Sequence, residues 1–326
     1  MTSSVGVDSF TALEETWQRL LPAAQANTIF FTPYWQRIWW QKFGHSAELS
    51  LLSLHKGSQL LGIAPLMREE DILSFIGDTD VCDYLDFIVA RGCEAAFYEA
   101  LLDHLDKEDW TALDLHCLAA TSPTLTRFAP LAEKRGYSVE LTLEDVCPRV
   151  DLPQNWDEYL ALLGKKDRHE LRRKMRRLFQ SGETRYYAIE KVEELAEGLE
   201  DFFRLHRQSR QDKAEFMTEQ MAHFFSQMAT SAAERGHLKL YFLEIDGVRT
   251  STALCFDYGD ELSLYNSGFD PAYSSLSVGL LLKAFCLQEA IAAGKSRFDF
   301  LRGAEPYKYD LGGQDLPIYR CLVRKT

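Results

Sequence analysis

The hydrophobic positions of this 326-residue chain follow two different spacings. Segments with an apolar residue at every third or fourth position are typical of helices that bury one face. Segments that alternate apolar and polar residues are typical of strands. Because both patterns recur along the whole chain, the sequence predicts a mixed α/β (α+β) fold.

Two stretches predict antiparallel hairpins. Residues 48–67, "ELSLLSLHKGSQLLGIAPLM", contain a turn at Gly57, and residues 237–269 predict three strands with a first turn at Gly247. A shift of 190 residues superposes Gly57 on Gly247, and each turn is followed by a strand and later by a helix and a further strand. The chain therefore has the pattern of one α/β module present twice.

Further helices and strands follow from the same periodicities. Helices are predicted at about 9–21, 33–43, 94–106, 122–135, 165–178, 191–209, 217–235 and 277–293, and strands at 111–118, 137–143, 184–190, 296–301 and 318–325. A chain of this length exceeds the usual size of one hydrophobic core. We therefore expect two domains, residues 1–150 and 151–326.

Composition narrows the class of protein. The chain is 46% hydrophobic with a net charge of −13, which disfavours nucleic acid as a partner. It has no apolar run long enough for a membrane span, and its N-terminus lacks the pattern of a signal peptide. The seven cysteines are scattered, with no C-x-x-C pair, as expected for buried thiols in a reducing compartment. These features predict a soluble cytoplasmic protein without a bound metal.

One block of positive charge stands out against this acidic background. Residues 165–178, "KKDRHELRRKMRRL", hold eight basic and two acidic residues. Leu171, Met175, Leu178 and Phe179 fall on one side of the predicted helix, so we expect that side to pack on the protein. The remaining surface has two interpretations, a solvated helix face or a binding surface for a phosphate group.

The segment 265–294 predicts a site for an anion. A strand ends near Asn266 and is followed by a polar loop, and then Ser277 and Gly279 begin a long apolar helix. The first turn of a helix leaves backbone N–H groups unpaired and carries the positive end of the helix dipole. Ser277 has an alternative role as an ordinary N-cap. No Walker or G-x-G-x-x-G sequence occurs, so the fingerprints of nucleoside triphosphate and dinucleotide sites are absent.

The segment "RFDFLRGAEPYKYDLGG" predicts a set of groups for proton transfer. Asp299 lies in a strand, and Glu305, Tyr307 and Lys308 follow within nine residues. A carboxylate can accept a proton from an amine, and a phenol can return one to a leaving thiolate. The structural alternative is that Asp299 caps a loop and Lys308 pairs with Glu305.

Two groups of polar residues in the first half of the sequence were considered as functional sites. "GDTDVCDYLD", residues 77–86, has the composition of a solvated loop or of an acidic lip suited to an amine-bearing acceptor. Asp114 and His116 share one face of a predicted strand, but no G-x-S-x-G sequence accompanies them, so we predict no catalytic triad.

Taken together, "GFDPAYSSLSVGLLL" and "FDFLRGAEPYK" resemble the GNAT acyltransferases, in particular the CelD-like or BioF2-like branch related to the Fem peptidyltransferases. The resemblance extends to "FFTPYWQRIWW", "LLGIAPLM", "DYLDFIV" and "RHELRRKMRRL", and so covers most of the chain. It implies two tandem GNAT-like modules, each a mixed, mostly antiparallel sheet flanked by helices.

The resemblance also implies a binding site for the acyl donor in the second domain, at the start of the helix near residue 277. The residues that would hold the donor phosphates are Ser275, Leu276, Ser277, Val278, Gly279 and Leu280. This branch often has Ser-Pro-Gly where the chain has Ser277-Val278-Gly279, and the general Q/R-x-x-G-x-G/A signature is missing, which leaves the identity of the donor open. Arg172 and Arg176 would bind the 3′-phosphate of CoA or a diphosphate on the acceptor.

The function implied is an acyl-CoA-dependent N-acyltransferase that uses acetyl-CoA or a longer acyl-CoA as co-substrate. Asp299 or Glu305 would accept the amine proton, Tyr307 would protonate the leaving thiolate, and Lys308 would stabilise the developing oxyanion. The acceptor implied is an amino sugar or a precursor of a cell-envelope polysaccharide or exopolysaccharide. The alternatives are a Fem-like transferase that uses aminoacyl-tRNA, and a non-catalytic scaffold.

Overall fold

The computed structural model describes residues 3–57 and 59–325. The chain divides into two compact units: unit 1 is Met1–Val146 with Leu316–Thr326, and unit 2 is Cys147–Asp315. The C-terminal strand, which a boundary near residue 150 assigns to the second domain, pairs with a strand of unit 1. The expected mixture of helices and strands is confirmed.

The first elements in chain order are β1 (Ser3–Val7), α1 (Phe10–Leu20), α2 (Pro33–Phe43), β2 (Glu48–Lys56), β3 (Gln59–Glu69), β4 (Ile72–Phe75), β5 (Ile88–Val89), α3 (Glu94–Leu105), β6 (Ala112–Ala119), α4 (Ala129–Lys134) and β7 (Ser138–Asp151). They are followed by α5 (Trp156–Leu162), α6 (Lys165–Phe179), β8 (Thr184–Ile189), α7 (Val192–Ser209), α8 (Gln211–Phe216), α9 (Glu219–Ala233), β9 (Leu238–Ile245), β10 (Val248–Tyr258), β11 (Glu261–Phe269), α10 (Val278–Ala292), β12 (Arg297–Asp299), α11 (Pro306–Asp310) and β13 (Gln314–Arg324).

Unit 1 has a mixed sheet. Its strands follow the order β1-β2-β3-β4-β6-β13, and β5 pairs with β3. Only β4 and β6 are parallel among these described pairs. The predicted first hairpin is confirmed, because Lys56 pairs with Gln59 across a turn in which Gly57 has a φ of 63°. Trp17 and Trp35 are fully buried in the core of this unit.

Unit 2 repeats this order of elements. Its sheet runs β12-β11-β10-β9-β8, with β11 and β12 parallel and the other pairs antiparallel. The turn between β9 and β10 is at Asp246 and Gly247, whose φ values are 50° and 79°, as predicted for a tight hairpin. Helix α10 is apolar on nearly all sides and packs on β9, β10 and β11.

Short elements account for most differences from the predicted pattern. The predicted strand 296–301 ends at Asp299, because Leu301 has a φ of 58° and its N–H donates to Asp299 Oδ1 over 2.7 Å. The predicted helix 122–135 is a π-helical turn, Thr124–Phe128, followed by α4. The periodicity did not predict β1, β4, β5, α5, α8 or α11, none of which is longer than seven residues.

Two properties of the described residues bear on the environment of the protein. None of the seven cysteines, all in the described part of the chain, forms a disulfide, and six of them are buried. Within residues 3–57 and 59–325, no helix is both long enough and apolar enough to cross a bilayer.

Candidate active site

In unit 2 the parallel strands β11 and β12 separate after a short pairing. They pair over three residues, and the last pair is Ser263 with Asp299. Farther along β11, Leu254 of β10 pairs with Asn266 while Cys255 pairs with Leu264, so Tyr265 is the extra residue of a bulge. A bulge bends the strand that carries it. The end of β11 therefore diverges from the place where β12 stops.

Helix α10 begins beside this divergence. A 3₁₀ turn, Pro271–Leu276, is capped by Asp270, whose Oδ1 accepts from the N–H of Ala272 over 2.9 Å. Ser277 then adopts a φ of 59°, and its side chain does not cap α10. The alternative role of Ser277 as an ordinary N-cap is therefore not realised. The first-turn N–H groups of α10 keep their capacity to bind an anion.

The predicted donor-binding residues all lie at this junction, but in different settings. Ser275 is exposed in the 3₁₀ turn, and Leu276 is half-buried at its end. Val278 is fully buried, whereas Gly279 and Leu280 are partly accessible. A Cβ on Gly279 would lie 3.1 Å from the ring of Phe269, so this position favours glycine.

The basic helix α6 packs against the start of α10. Leu171 and Leu178 are buried, as the apolar spacing predicts, but Phe179, the last residue of the helix, is 52% exposed, so its predicted burial is wrong. The guanidinium of Arg177 is the group that reaches the junction: its Nη2 donates to Ser277 Oγ over 3.4 Å. Its Nε is buried without a hydrogen-bond partner. By contrast, Arg172 and Arg176 are exposed.

A cavity of about 270 Å³ lies between α6, the first turn of α10 and the end of α11. Its charged lining is mixed, with Lys166 and Lys174 beside Asp167, Glu170 and Asp310, and Leu171, Leu280 and Leu311 form its apolar walls. Lys174 lies 3.8 Å from Glu170, so the positive charge of this lining is offset by its carboxylates.

Lys283 lies one turn beyond Gly279 on α10 and is only 7% exposed. Its Nζ donates to the carbonyl oxygen of Gly279 over 3.0 Å and lies 4.5 Å from the centre of the Tyr307 ring. Burial, together with the charge of Lys213, lowers the pKa of Lys283 to about 7. This lysine therefore titrates near neutral pH.

Two further polar residues come from α7 and α8. Lys213 donates to the carbonyl oxygen of Ser267, and burial together with the charge of Arg210 lowers its pKa to about 8. His206 is 1% exposed, and burial lowers its pKa to about 4, so the ring is neutral at pH 7. Its Nε2 donates to Asn266 Oδ1 over 2.9 Å, while Nδ1 is buried without a partner.

The close approach of α7 to β11 requires a glycine. A Cβ on Gly268 would lie 2.4 Å from the backbone nitrogen of His206, which no side chain could relieve. The glycine thus fixes the distance between His206 and the end of β11.

The loop after β12 is held by buried charges. Lys308 is 1% exposed, and its Nζ donates to the carbonyl oxygens of Leu301, Arg302 and Gly303 over 2.8, 2.6 and 2.9 Å. These three bonds use all the donors of an ammonium group. Asp299 is 2% exposed and binds the N–H of Leu301. Both residues therefore fix the conformation of this loop.

Glu305 and Tyr307 are the predicted residues that remain available for chemistry. The Glu305 side chain is 45% exposed, and its Oε2 lies 2.9 Å from Lys308 Nζ. Burial acts to raise the pKa of Glu305, but the Lys308 charge outweighs it and holds the pKa below its ordinary value. Burial raises the pKa of Tyr307 well above its ordinary value, so the phenol stays protonated.

The structure thus brings Glu305, Tyr307 and Lys308 together with two lysines that the sequence did not single out. The charges of Glu305, Lys213 and Lys283 act on one another. Lys213, Lys283 and Lys308 are thus three basic groups whose charges couple to the Glu305 carboxylate, and near pH 7 Lys283 is charged only in part because its pKa is lowered to about 7. In the described residues, no group of three or more His, Cys, Asp or Glu side chains is placed to hold a metal ion.

Comparisons with known proteins identify a matching domain model and similar folds. Residues 165–309 match the family model of the acetyltransferase (GNAT) domain. No curated protein sequence matches the chain. Among solved structures, FemX has a TM-score of 0.70 at 11% identity and covers 97% of this chain and 96% of its own.

Two other solved structures are similar over nearly their full length. L-PGS from Bacillus licheniformis has a TM-score of 0.60 at 10% identity, covering 95% of this chain and 91% of its own. A tandem GNAT protein from the clavulanic acid biosynthesis pathway has a TM-score of 0.52 at 12% identity, covering 98% of both chains. At these identities the likeness establishes the fold.

The class of fold is therefore clear: residues 165–309 match the model of a GNAT domain, and the whole chain has the fold of tandem GNAT and Fem-like proteins. The expected pair of GNAT-like modules is confirmed.

Proposed function

We propose that unit 2 transfers an acyl group from an acyl-CoA thioester to a primary amine. The observation that carries this proposal is the contact of Arg177 with Ser277 at the start of α10. It places a guanidinium beside unpaired helix N–H groups, which is an arrangement suited to a pyrophosphate. The apolar walls of the neighbouring cavity, Leu171, Leu280 and Leu311, would take the nucleoside of CoA.

In this proposal the donor thioester lies where β11 and β12 separate. The acceptor amine attacks the carbonyl carbon directly, so the new C–N bond forms as the C–S bond breaks, with no covalent enzyme intermediate. The positive charge of Lys213, together with that of Lys283 in its protonated form, favours the oxyanion that develops in the transition state.

Glu305 accepts the proton lost by the amine, directly or through a water molecule. It is preferred to Asp299 because its side chain is 45% exposed, whereas Asp299 is 2% exposed and occupied by a loop N–H. Tyr307 donates the proton that the leaving thiolate of CoA takes up, since its raised pKa keeps it a phenol. Lys308 acts as a positioning residue that holds the loop and Glu305.

The finer identity of the substrates rests on the sequence resemblance: acetyl-CoA or a longer acyl-CoA as donor, and an amino sugar or polysaccharide precursor as acceptor. The test is release of free CoA thiol from acyl-CoA in the presence of a panel of primary amines, glucosamine among them. Amine-dependent thiol release supports the proposal. Hydrolysis at the same rate with and without every amine contradicts it.

One observation favours a second candidate, a Fem-like transfer from aminoacyl-tRNA. The face of α6 carries exposed Arg172, Arg173 and Arg176, and the whole chain shares its fold with FemX. Binding to an RNA backbone through such a face would weaken steeply as salt increases. A gel-shift assay with total tRNA at low salt distinguishes the two, since the CoA proposal predicts no shift.

A further inference from the structure

Unit 1 contains its own version of the strand separation described for unit 2. β4 and β6 are parallel over three residues, and their last pair is Ser74 with Asp114. The corresponding last pair in unit 2 is Ser263 with Asp299. Where β4 leaves β6 in unit 1, a cavity of about 380 Å³ opens. A cavity of this volume is large enough for a small ligand.

One polar wall of this cavity is neutral overall because its charges are paired internally. Asp114 accepts two hydrogen bonds from Arg320, each over 2.7 Å, and lies 3.2 Å from His116 Nε2. His116 Nδ1 donates to Glu144 Oε1 over 2.6 Å. Hydrogen bonds to Asp114 and Glu144 raise the pKa of His116 to about 9, so it is an imidazolium with both nitrogens engaged. This cluster therefore has no free base and serves as a rigid wall.

The other polar wall carries negative charge that no cation balances. Asp78 accepts from Trp39 Nε1 over 2.7 Å, and its Oδ1 accepts from the backbone N–H groups of Asp80 and Val81. All three donors are neutral. Glu69 lines the same cavity and accepts from a serine hydroxyl. Within residues 3–57 and 59–325, neither carboxylate forms an ion pair with Lys, Arg or His.

The rest of the cavity is apolar. Met67, Ile72, Phe75 and Leu85 line it, and Phe75 and Leu85 are buried in the core of unit 1, which makes this wall rigid. A ligand that fits must therefore present a positive charge to Asp78 and Glu69 and a hydrocarbon body to the apolar side chains.

We propose that this cavity in unit 1 binds a small aliphatic primary amine. The ammonium group pairs with the carboxylates of Asp78 and Glu69, and the carbon chain packs on Met67, Phe75 and Leu85. The acidic segment 77–86 thus supplies a wall of a binding site. This proposal stands on the geometry of unit 1 and does not depend on acyl transfer in unit 2.

The test is isothermal titration of the full-length protein with n-hexylammonium chloride and with 1-hexanol, which has similar size and no charge. We expect one amine per chain and binding of the alcohol at least tenfold weaker. Asp78→Asn should weaken amine binding at least tenfold, and Ser74→Phe, which fills the cavity, should abolish it. Amine and alcohol that bind equally well, or no saturable amine binding, would overturn the proposal.

A matched control separates the site from general electrostatics. Asp80→Asn removes the same charge from an exposed position of the same segment, so it should change amine affinity by less than twofold. Equal effects of Asp78→Asn and Asp80→Asn would contradict the site. Because Asp78 also accepts hydrogen bonds from the backbone of its own loop, Asp78→Asn can alter the loop itself. Glu69→Gln is therefore an independent variant, which should weaken amine binding without lowering the midpoint of thermal unfolding.

Discussion

Lys308 Nζ lies 2.9 Å from Glu305 Oε2 while all three of its N–H donors go to carbonyl oxygens of residues 301–303. The lysine therefore combines two roles: it shapes the loop after β12, and it sets the charge state of the proposed general base. A fully buried cation with four oxygen atoms around it is costly to remove.

Replacement of Lys308 by methionine should destabilise the protein by about 3 kcal/mol, because three carbonyl groups and one carboxylate lose their partner. Equilibrium unfolding in urea measures this loss. Lys165→Met, at the exposed start of α6, is the control and should change stability by less than about 0.5 kcal/mol. Equal stability of the two variants would show that the Lys308 contacts contribute little.

Replacement of Tyr307 by phenylalanine should lower kcat for amine acylation by about 100-fold with little change in KM for the donor. The ring and its packing on Lys283 remain, and only the proton donor is lost. Steady-state kinetics with the best amine of the panel measures both constants. Tyr309→Phe, at the neighbouring exposed phenol, should keep its activity. A kcat unaffected by Tyr307→Phe would exclude Tyr307 as the acid.

Lys283 predicts a distinctive pH dependence of stability. Its pKa is about 7 in the folded state against an ordinary value of 10.5, so the unfolded chain binds more protons between these values. The contribution of Lys283 to the free energy of unfolding therefore rises as the pH increases from about 7 to 10.5, and it stays constant below pH 7. Lys283→Met removes the dependence. The stability advantage of Lys283→Met over the wild type should be largest near pH 6.5 and should shrink toward pH 10. An advantage that stays constant with pH would contradict the lowered pKa.

The exposed arginines of α6 give a prediction about the substrates. If Arg172 and Arg176 bind a phosphate of CoA or of the acceptor, their combined replacement by glutamate should raise KM for that substrate about tenfold and leave the fold intact. Circular dichroism checks the fold. Arg173→Glu is unsuitable as the control because Arg173 pairs with Glu170, so Lys191→Glu on the surface is used instead. Unchanged KM values for both substrates would make the face of α6 ordinary solvated surface.

Periodicity was enough to predict the hairpins, the basic helix and the long apolar helix, because each depends on local spacing of apolar residues. The position of Arg177 at Ser277 could not be predicted, since the two residues are 100 positions apart and meet only through packing of α6 on α10. Lys283 did leave a signal, a lone lysine inside the apolar run "LLLKAF". His206 and Lys213 left none, because their burial depends on how α7 and α8 pack on β11.

The sequence likewise could not show which of the two carboxylates, Asp299 or Glu305, is accessible. Their spacing in sequence made Asp299 and Glu305 equal candidates for the base. The positive φ of Leu301 ends β12 and turns the Asp299 carboxylate to the loop backbone, which leaves Glu305 accessible. The left-handed conformation of Leu301 therefore makes Glu305 the better candidate for the base. No periodic pattern of apolar residues predicts such a conformation.

The most direct test of the central claim is isothermal titration of acetyl-CoA, longer acyl-CoAs and S-acetylpantetheine, which lacks the phosphates, into the wild type, Arg177→Ala and the surface control Lys191→Ala. We predict that an acyl-CoA binds the wild type, that Arg177→Ala weakens this binding about tenfold, and that Lys191→Ala changes it less than twofold. S-acetylpantetheine should bind weakly and equally to all three proteins. If no acyl-CoA binds the wild type, unit 2 does not use a CoA donor. If Arg177→Ala binds acyl-CoA as the wild type does, the phosphates do not lie at the start of α10.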